Sequence, residues 1–361
     1  MNLTAVIMAG GKGERFWPKS RTRLPKQFLN ISGQKSMIQQ TTERLSKLLD
    51  ISRIFVVTNE MYAELIRIQI PHLPKENLII EPVGRDTAPC VGLAALIIEQ
   101  KYPDSIMVVL PSDHIIDKKD QFIDIIETAA RKAQSGPFLV TLGITPTYPE
   151  TGYGYIESSL EVEEHQEIEI HRVKQFVEKP DKETAESYVQ KGHFFWNSGI
   201  FIWRTAVIRS YIQQLMPEVH EVLQSMKIAI SEGNKSTASI VQAEFKRMPS
   251  QSIDYGIMEK APHIFVIPYD HGWDDVGSWT ALERINDTDE NGNVMKGNHI
   301  LSVDTKRCII EGNGKLIATL GIEDLIVIDT EDVTLICTKE KAQDIKSLLK
   351  ELRNQKMDKY L

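Results

Sequence analysis

Residues 3–26, LTAVIMAGGKGERFWPKSRTRLPK, decide how the rest of the chain reads. Leu3 to Met8 is a continuous, partly β-branched apolar run, too short for a stable helix and suited to a buried parallel strand. Gly10, Gly11 and Gly13 follow at once. Glycines at the carboxyl end of a strand let backbone N–H groups turn toward an anion without obstruction by Cβ atoms. Lys12, Arg15, Lys19, Arg21, Arg23 and Lys26 then bring cations into a short length of chain, and a polyphosphate is their natural counter-charge. A dinucleotide fingerprint would need glycine where Phe16 stands, and a P-loop would need Ser or Thr after Lys12, where Gly13 stands. A lone GGxG also fits a solvated turn, but Arg15, Pro25 and Lys26 argue for phosphate binding.

The strand, the glycine loop and a helix opened by Ser36, with Met37, Ile38, Thr41 and Leu45 at helical spacing, form the first half of a βαβ unit. Strands over 54–58 and 77–80, a helix over 60–69, a strongly apolar helix over 87–102 and a strand over 105–110 continue the alternation. The fold class is therefore α/β, with a Rossmann-like doubly wound, mainly parallel sheet. Ligands of such sheets bind outside the carboxyl ends of the strands, where the glycine loop, Glu81 to Thr87 and Asp113 all fall. Asp113 alone would equally serve as a turn cap, and Cys90, inside the apolar helix, reads as core.

Beyond Phe138 the pattern turns to alternating strands at 138–142, 153–157 and 167–176, antiparallel additions to the parallel core. The last runs into Glu178-Lys179-Pro180, and a further strand follows Asn197. Residues 205–260 are mainly helical, and a strand at 263–267 leads to the acidic loop Trp273-Asp274-Asp275-Val276-Gly277-Ser278-Trp279. The expected organisation is a catalytic domain over 1–285, a polar linker over 286–297, and a small β-rich C-terminal domain over 298–361 closed by an amphipathic helix. That helix carries Ile345, Leu348, Leu349 and Leu352, which either pack on their own domain or make a homodimer through the C-terminal domain.

Composition narrows the class of partner. The chain has 361 residues and a formal net charge of -8, which disfavours nucleic acid and anionic membranes as partners. The basic cluster is local and suited to a small anion. Three cysteines without metal-ligand spacing fit a reducing cytoplasm. No apolar stretch reaches the roughly 18 residues of a membrane span, and no basic segment precedes the first strand as in a secretory leader.

Four segments, AGGKGERFWPKSR with LPKQF, PSDH, FVEKP with NSGIF, and GWDDVGSW, together resemble the sugar-1-phosphate nucleotidyltransferases, and within them the branch that joins GTP to mannose 1-phosphate. Glu81-Pro82, the Arg85 to Pro89 segment and the Tyr255 to Lys260 segment carry the same likeness. It spans most of residues 1–285, continues in the tail, and implies the nucleotidyltransferase, glycosyltransferase A-like core. The cupin-like isomerase domain of some members is absent from these residues, so a single activity is expected.

The resemblance implies a catalytic set of Arg15, Lys26 and Asp113. Ala9, Gly10, Gly11, Lys12, Gly13, Arg15 and Lys26 would hold the nucleotide phosphates, with Glu81, Arg85 and Thr87 at the base. Gly154, Glu178, Lys179 and Asn197 would bind the sugar phosphate, and Asp113 with Asp275 would hold Mg²⁺. Phe16 and Lys19 stand where leucines are common in the family, a departure bearing only on nucleotide preference. Two other readings stay open: transfer to another sugar phosphate, such as a heptose, or from UTP, dTTP or ATP, and a non-catalytic sensor of nucleotide sugars.

Overall fold

The computed structural model describes residues 1–270 and 272–361. By its contacts the chain divides into two compact units. The first comprises residues 1–10, 41–112 and 116–273, and the second residues 11–40, 113–115 and 274–361. The sequence boundary at 285–298 is thus not the contact boundary, because the acidic loop and the C-terminal strands share a unit with the glycine-rich segment.

The first unit is built on a nine-stranded mixed sheet. Its strands are β1 (Leu3–Met8), β2 (Ile54–Asn59), β3 (Leu78–Glu81), β4 (Ile106–Pro111), β5 (Leu139–Ile144), β6 (Gly154–His165), β7 (Ile168–Glu178), β8 (Phe194–Arg204) and β9 (Ile264–Pro268). Their spatial order is β3-β2-β1-β4-β8-β5-β9-β7-β6. β1 pairs in parallel with β2 and β4, and β2 with β3, so these four strands end at the same edge. Gly10, Glu81 and Ser112 follow or finish those ends, as the βαβ reading requires. β8 runs antiparallel between β4 and β5, and β6, β7 and β9 complete the mixed half.

Helix α1 (Thr87–Lys101) is buried without a break from Ala88 to Leu96, because it is apolar on every side. Asp86, at φ +68°, caps it by accepting from the Thr87 N–H at 2.7 Å. It packs in the core that also holds Phe55, Phe201, Trp203 and Ile212. Helices over Lys119–Gln134 and Lys182–Lys191 fill stretches that the sequence reading leaves unassigned, although Phe122, Ile125, Ile126 and Ala129 recur at helical spacing.

The second unit pairs its strands differently from a meander. β10 (Val294–Lys296), β12 (Ile309–Glu311) and β14 (Leu325–Asp329) are parallel neighbours. β11 (Ile300–Val303) and β13 (Ile317–Leu320) form a second parallel pair. Only β14 and β15 (Thr334–Thr338) make a hairpin, whose turn is closed by the Thr330 N–H to Val333 C=O bond at 2.9 Å. The Gly312-Asn313-Gly314 turn therefore joins β12 to β13, strands of two different sheets of the coil. The expected linker also departs from its reading. Asn293 is buried, donates to the Thr305 carbonyl at 2.8 Å and accepts from the Cys308 N–H at 2.8 Å, fixing the start of β10.

The amphipathic stripe of α2 (Ile345–Asn354) is engaged inside this unit. Ile345 and Leu349 are buried in one cluster with Phe16, Trp17, Trp279, Ile309 and Ile328; Leu352 packs at its margin, and Leu348 is exposed. Polar contacts extend the attachment. Trp17 Nε1 and Arg21 Nη1 donate to the Tyr360 carbonyl at 2.7 and 2.6 Å, and Arg353 pairs with Glu14 at 2.9 Å. Leu349→Ala should destabilise the protein by about 2–5 kcal/mol, against under ~0.5 kcal/mol for Leu348→Ala. Denaturant unfolding followed by tryptophan fluorescence, with Trp17 and Trp279 in the affected cluster, checks this contrast, and equal effects would contradict the packing.

Candidate active site

In the second unit the glycine loop rests on a lysine. Gly13 adopts the left-handed conformation at φ +58°, and a Cβ there would lie 2.2 Å from Lys26 Cβ and 2.8 Å from its backbone nitrogen. Only glycine allows this approach. Gln27 Nε2 donates to the Gly11 carbonyl at 2.9 Å and fastens the loop from below. Lys26 itself is 4% exposed. Its ammonium meets Asp113 Oδ2 at 2.9 Å and the Asp275 carbonyl at 2.6 Å, with the Phe16 ring centre at 5.6 Å. A buried ammonium is tolerable only with such partners.

Asp113, Lys26 and Asp275 are thus brought together from three distant parts of the chain. Burial works against ionisation of Asp113, but the Lys26 ammonium and then His114 outweigh it and hold the carboxyl below the ordinary aspartate range. The two neighbouring acids at 274 and 275 differ. Asp274 is buried, pairs with Arg284 (Nη2 to Oδ1 3.0 Å) and accepts from the Val276 N–H at 2.7 Å. Asp275 accepts the Gly277 N–H at 3.0 Å within its own loop. Carboxylate oxygens are hard donors, which suit Mg²⁺ rather than Zn²⁺. Among the described residues no group of three or more His, Cys, Asp or Glu side chains forms a metal cluster; an ion on Asp113 and Asp275 would draw its other ligands from substrate and water.

The cations after the loop divide into two kinds. Arg15 keeps a buried Nε without a hydrogen-bond partner, and Lys12 is exposed. Lys19 pairs with Glu311, and Arg21 pairs with Asp332 at 2.6 Å, so these two hold the C-terminal strands rather than a ligand. The sequence shows the charge but not its direction.

In the first unit, Ala9 is buried and its carbonyl accepts from Thr58 Oγ1 at 2.9 Å. Glu81 is 6% exposed, with one carboxyl oxygen lacking a partner and the other 3.8 Å from where a Gly10 Cβ would stand. Burial raises its pKa to about 7, partly offset by a hydrogen bond with the Cys90 thiol. The thiol is in turn pushed well above its usual value by burial and by Glu81, so Cys90 stays protonated. Arg85 leaves Nε unpaired while Nη2 donates to the Lys246 carbonyl at 2.7 Å. Thr87 Oγ1 accepts from the Ile253 N–H at 2.8 Å. Glu81 and Arg85 thus each keep one buried polar atom without a hydrogen-bond partner.

The four residues expected at the sugar phosphate also converge within this unit. A Cβ on Gly154 would lie 2.4 Å from Glu178 Oε2 and 3.4 Å from Asn197 Cβ. Lys179, at φ +49°, turns its ammonium back onto the Glu178 carboxylate. Asp254, which the sequence reading does not single out, joins them by accepting from Asn197 Nδ2 at 3.0 Å. No spacing links residues 197 and 254, so only the folded chain reveals it.

Comparison with known proteins finds relatives along nearly the whole chain. A family model described as nucleotidyl transferase matches residues 4–292, and one described as MannoseP isomerase/GMP-like beta-helix domain matches residues 297–352. The chain is 40% identical over 360 residues to a mannose-1-phosphate guanylyltransferase of Klebsiella pneumoniae, covering 99% of this chain and 75% of that one. It is 38% identical to the alginate biosynthesis protein AlgA of Pseudomonas putida, covering 97% and 71%. A crystal structure from Thermus thermophilus, described as a mannose-1-phosphate geranyltransferase, superposes with a TM-score of 0.86 at 33% identity, covering 98% of this chain and 100% of that one.

The raised pKa of Glu81 gives a test with a definite sign. Its folded value near 7 exceeds the unfolded value of 4.5, so its stabilisation is complete below about pH 4.5 and lost as pH rises through 7. Thermal unfolding midpoints should fall between pH 5 and 8, and Glu81→Gln should flatten that fall by an amount corresponding to about 3 kcal/mol at most. An unchanged slope would place the Glu81 carboxylate in a more polar setting.

Proposed function

The chain belongs to the nucleotidyl transferase family, and on that basis we propose that it transfers the guanylyl group of GTP to mannose 1-phosphate, releasing pyrophosphate and forming GDP-mannose. The observation that carries this reading is the near-full-length likeness to relatives named mannose-1-phosphate guanylyltransferase, which extends through the C-terminal strands. The partners are small molecules, GTP and the sugar phosphate. No helix among the described residues is long and apolar enough to cross a membrane.

A phosphate oxygen of the sugar 1-phosphate attacks the α-phosphorus of GTP in line. The new P–O bond forms as the bond to pyrophosphate breaks, and the leaving group departs as an anion. With a second pKa of about 6, the attacking phosphate is largely ionised at neutral pH, so no protein base has to deprotonate it. The protein's task is to align two anions and offset their repulsion, and alignment alone can supply up to ~7–11 kcal/mol of the barrier.

In this reading Gly10, Gly11 and Gly13 present backbone N–H groups to the triphosphate, and Lys12, Arg15 and Lys26 supply positive charge. Asp113 and Asp275 would hold Mg²⁺, which neutralises charge on phosphate oxygens. Glu81, Arg85 and Thr87 read the base edge. Glu178 accepts from sugar hydroxyls, and Lys179 meets the sugar phosphate, with Asn197 and Gly154 beside it. The orphaned Arg15 Nε supports an anionic ligand at the loop, since a buried unpaired donor costs about 1–3 kcal/mol until something accepts from it.

A panel of nucleotides and sugar 1-phosphates, assayed by pyrophosphate release, should give the highest kcat/KM with GTP and mannose 1-phosphate. Faster turnover with UTP, dTTP or ATP would overturn the assignment. A paired comparison tests the metal ligands. Asp275→Asn should lower turnover by about 100-fold or more and weaken its Mg²⁺ dependence without moving the unfolding midpoint. Asp274→Asn should lower the midpoint, because it weakens the Arg284 pairing, while leaving Mg²⁺ dependence intact. The reverse pattern would exchange the roles of the two acids.

A further inference from the structure

Asp254 opens a π-helical turn, Asp254–Met258, and its carboxylate stands in the cluster of Asn197, Glu178 and Lys179. The Asn197 side chain is fixed on three sides. Its Oδ1 accepts from the Gly199 N–H at 3.2 Å and from Thr141 Oγ1 at 3.4 Å, while Nδ2 donates to Asp254 Oδ1 at 3.0 Å. One N–H of the carboxamide remains for a ligand. Lys179 is held in an unfavourable left-handed backbone conformation, with its N–H donating to the Tyr153 carbonyl at 3.2 Å. Its ammonium contacts Glu178 and also feels Tyr255 and Asp254.

We propose that Asp254 is a positioning residue for the sugar phosphate: it orients the Asn197 carboxamide so that the remaining amide N–H meets the incoming ligand beside the Lys179 ammonium, which Glu178 holds. The inference rests on the function proposed above and adds a residue to the sugar-phosphate set. Geometry requires some such device. Two carboxylates face one ammonium here, and a dianionic phosphate enters such a place only if the cation is aimed and the acids are turned to hydrogen-bonding tasks.

The charged and titratable groups facing Asp254 are Glu178 at the end of β7, Lys179 directly after it and Tyr255 from its own turn, with Glu259 reached through the Glu178 N–H at 3.3 Å. Burial, then Glu178, lifts the Asp254 carboxyl to about 7, while Asn197 and Lys179 pull the other way. Below that pH the neutral acid still accepts from Asn197 and leaves Lys179 to the phosphate. Above it the carboxylate competes with the phosphate for the same ammonium.

The test measures KM for both substrates in the full-length chain from pH 6 to 8.5. Asp254→Ala should raise KM for mannose 1-phosphate about tenfold or more and leave KM for GTP within about twofold. Asp254→Asn, which keeps an acceptor for Asn197 and resembles the neutral acid, should recover most of the loss at pH 6. The KM ratio of wild type to Asp254→Asn should then rise between pH 6 and 8.5; the ligand's own ionisation is common to both proteins and cancels. Equal changes in the two substrates' KM values, or a pH-independent ratio, overturn the proposal. If Asp254→Ala does not fold, the Asp254→Asn ratio decides alone. A wild-type protein inactive with this substrate pair would instead overturn the proposed function, and the same comparison would proceed with whichever sugar 1-phosphate is turned over.

Discussion

A buried ammonium governs the second unit. Lys26, 4% exposed, has its charge balanced by Asp113 at 2.9 Å and by the Asp275 carbonyl at 2.6 Å. Removing such a charge from water costs several kcal/mol unless it is paired and hydrogen-bonded. The requirement is mutual. Asp113 remains ionised despite burial because of Lys26 and His114, and the Gly13 backbone lies so close to Lys26 that no side chain fits between them. The glycine loop, the aspartate after β4 and the acidic loop therefore have to be correct together.

Much of the first unit was legible from hydrophobic pattern alone. β1, β2 and β4 are apolar runs buried on both faces, β3 is a short edge strand with one face buried, and α1 is apolar around its girth, so composition and length identify them. The β-rich character of the C-terminal segment was equally plain, but the pairing of its strands was not. Alternating short strands with glycine turns fit a meander or a coil of parallel rungs, and the choice depends on partners some fifteen residues away in the chain. The same limit hid the destination of Lys19 and Arg21, whose acids Glu311 and Asp332 lie near the other end of the sequence.

The candidate site was legible to a similar depth. Gly154, Glu178, Lys179 and Asn197 came from family resemblance rather than spacing, and the fold packs Gly154 so close to Glu178 that a Cβ there would overlap its carboxylate. Asp254 carried no signal. An aspartate at a helix start is usually a cap, and only its approach to Asn197 and Glu178 distinguishes it. The resemblance selected Asp275 over Asp274 without the fold, and the fold adds that Arg284 pairs with Asp274.

The second unit draws on chain that is far apart in sequence: Trp17 donates to the carbonyl of Tyr360, 343 residues later. During synthesis the glycine loop emerges long before the strands and helix that clamp it. At about 5–20 residues per second, the ribosome delivers those partners tens of seconds after the loop. The nascent chain can assemble much of its large sheet in that interval, while Phe16 and Trp17 still lack the core that will bury them. Such delayed closure favours slow, chaperone-sensitive maturation, in which the loop acquires its final form only after translation has reached the end of this sequence.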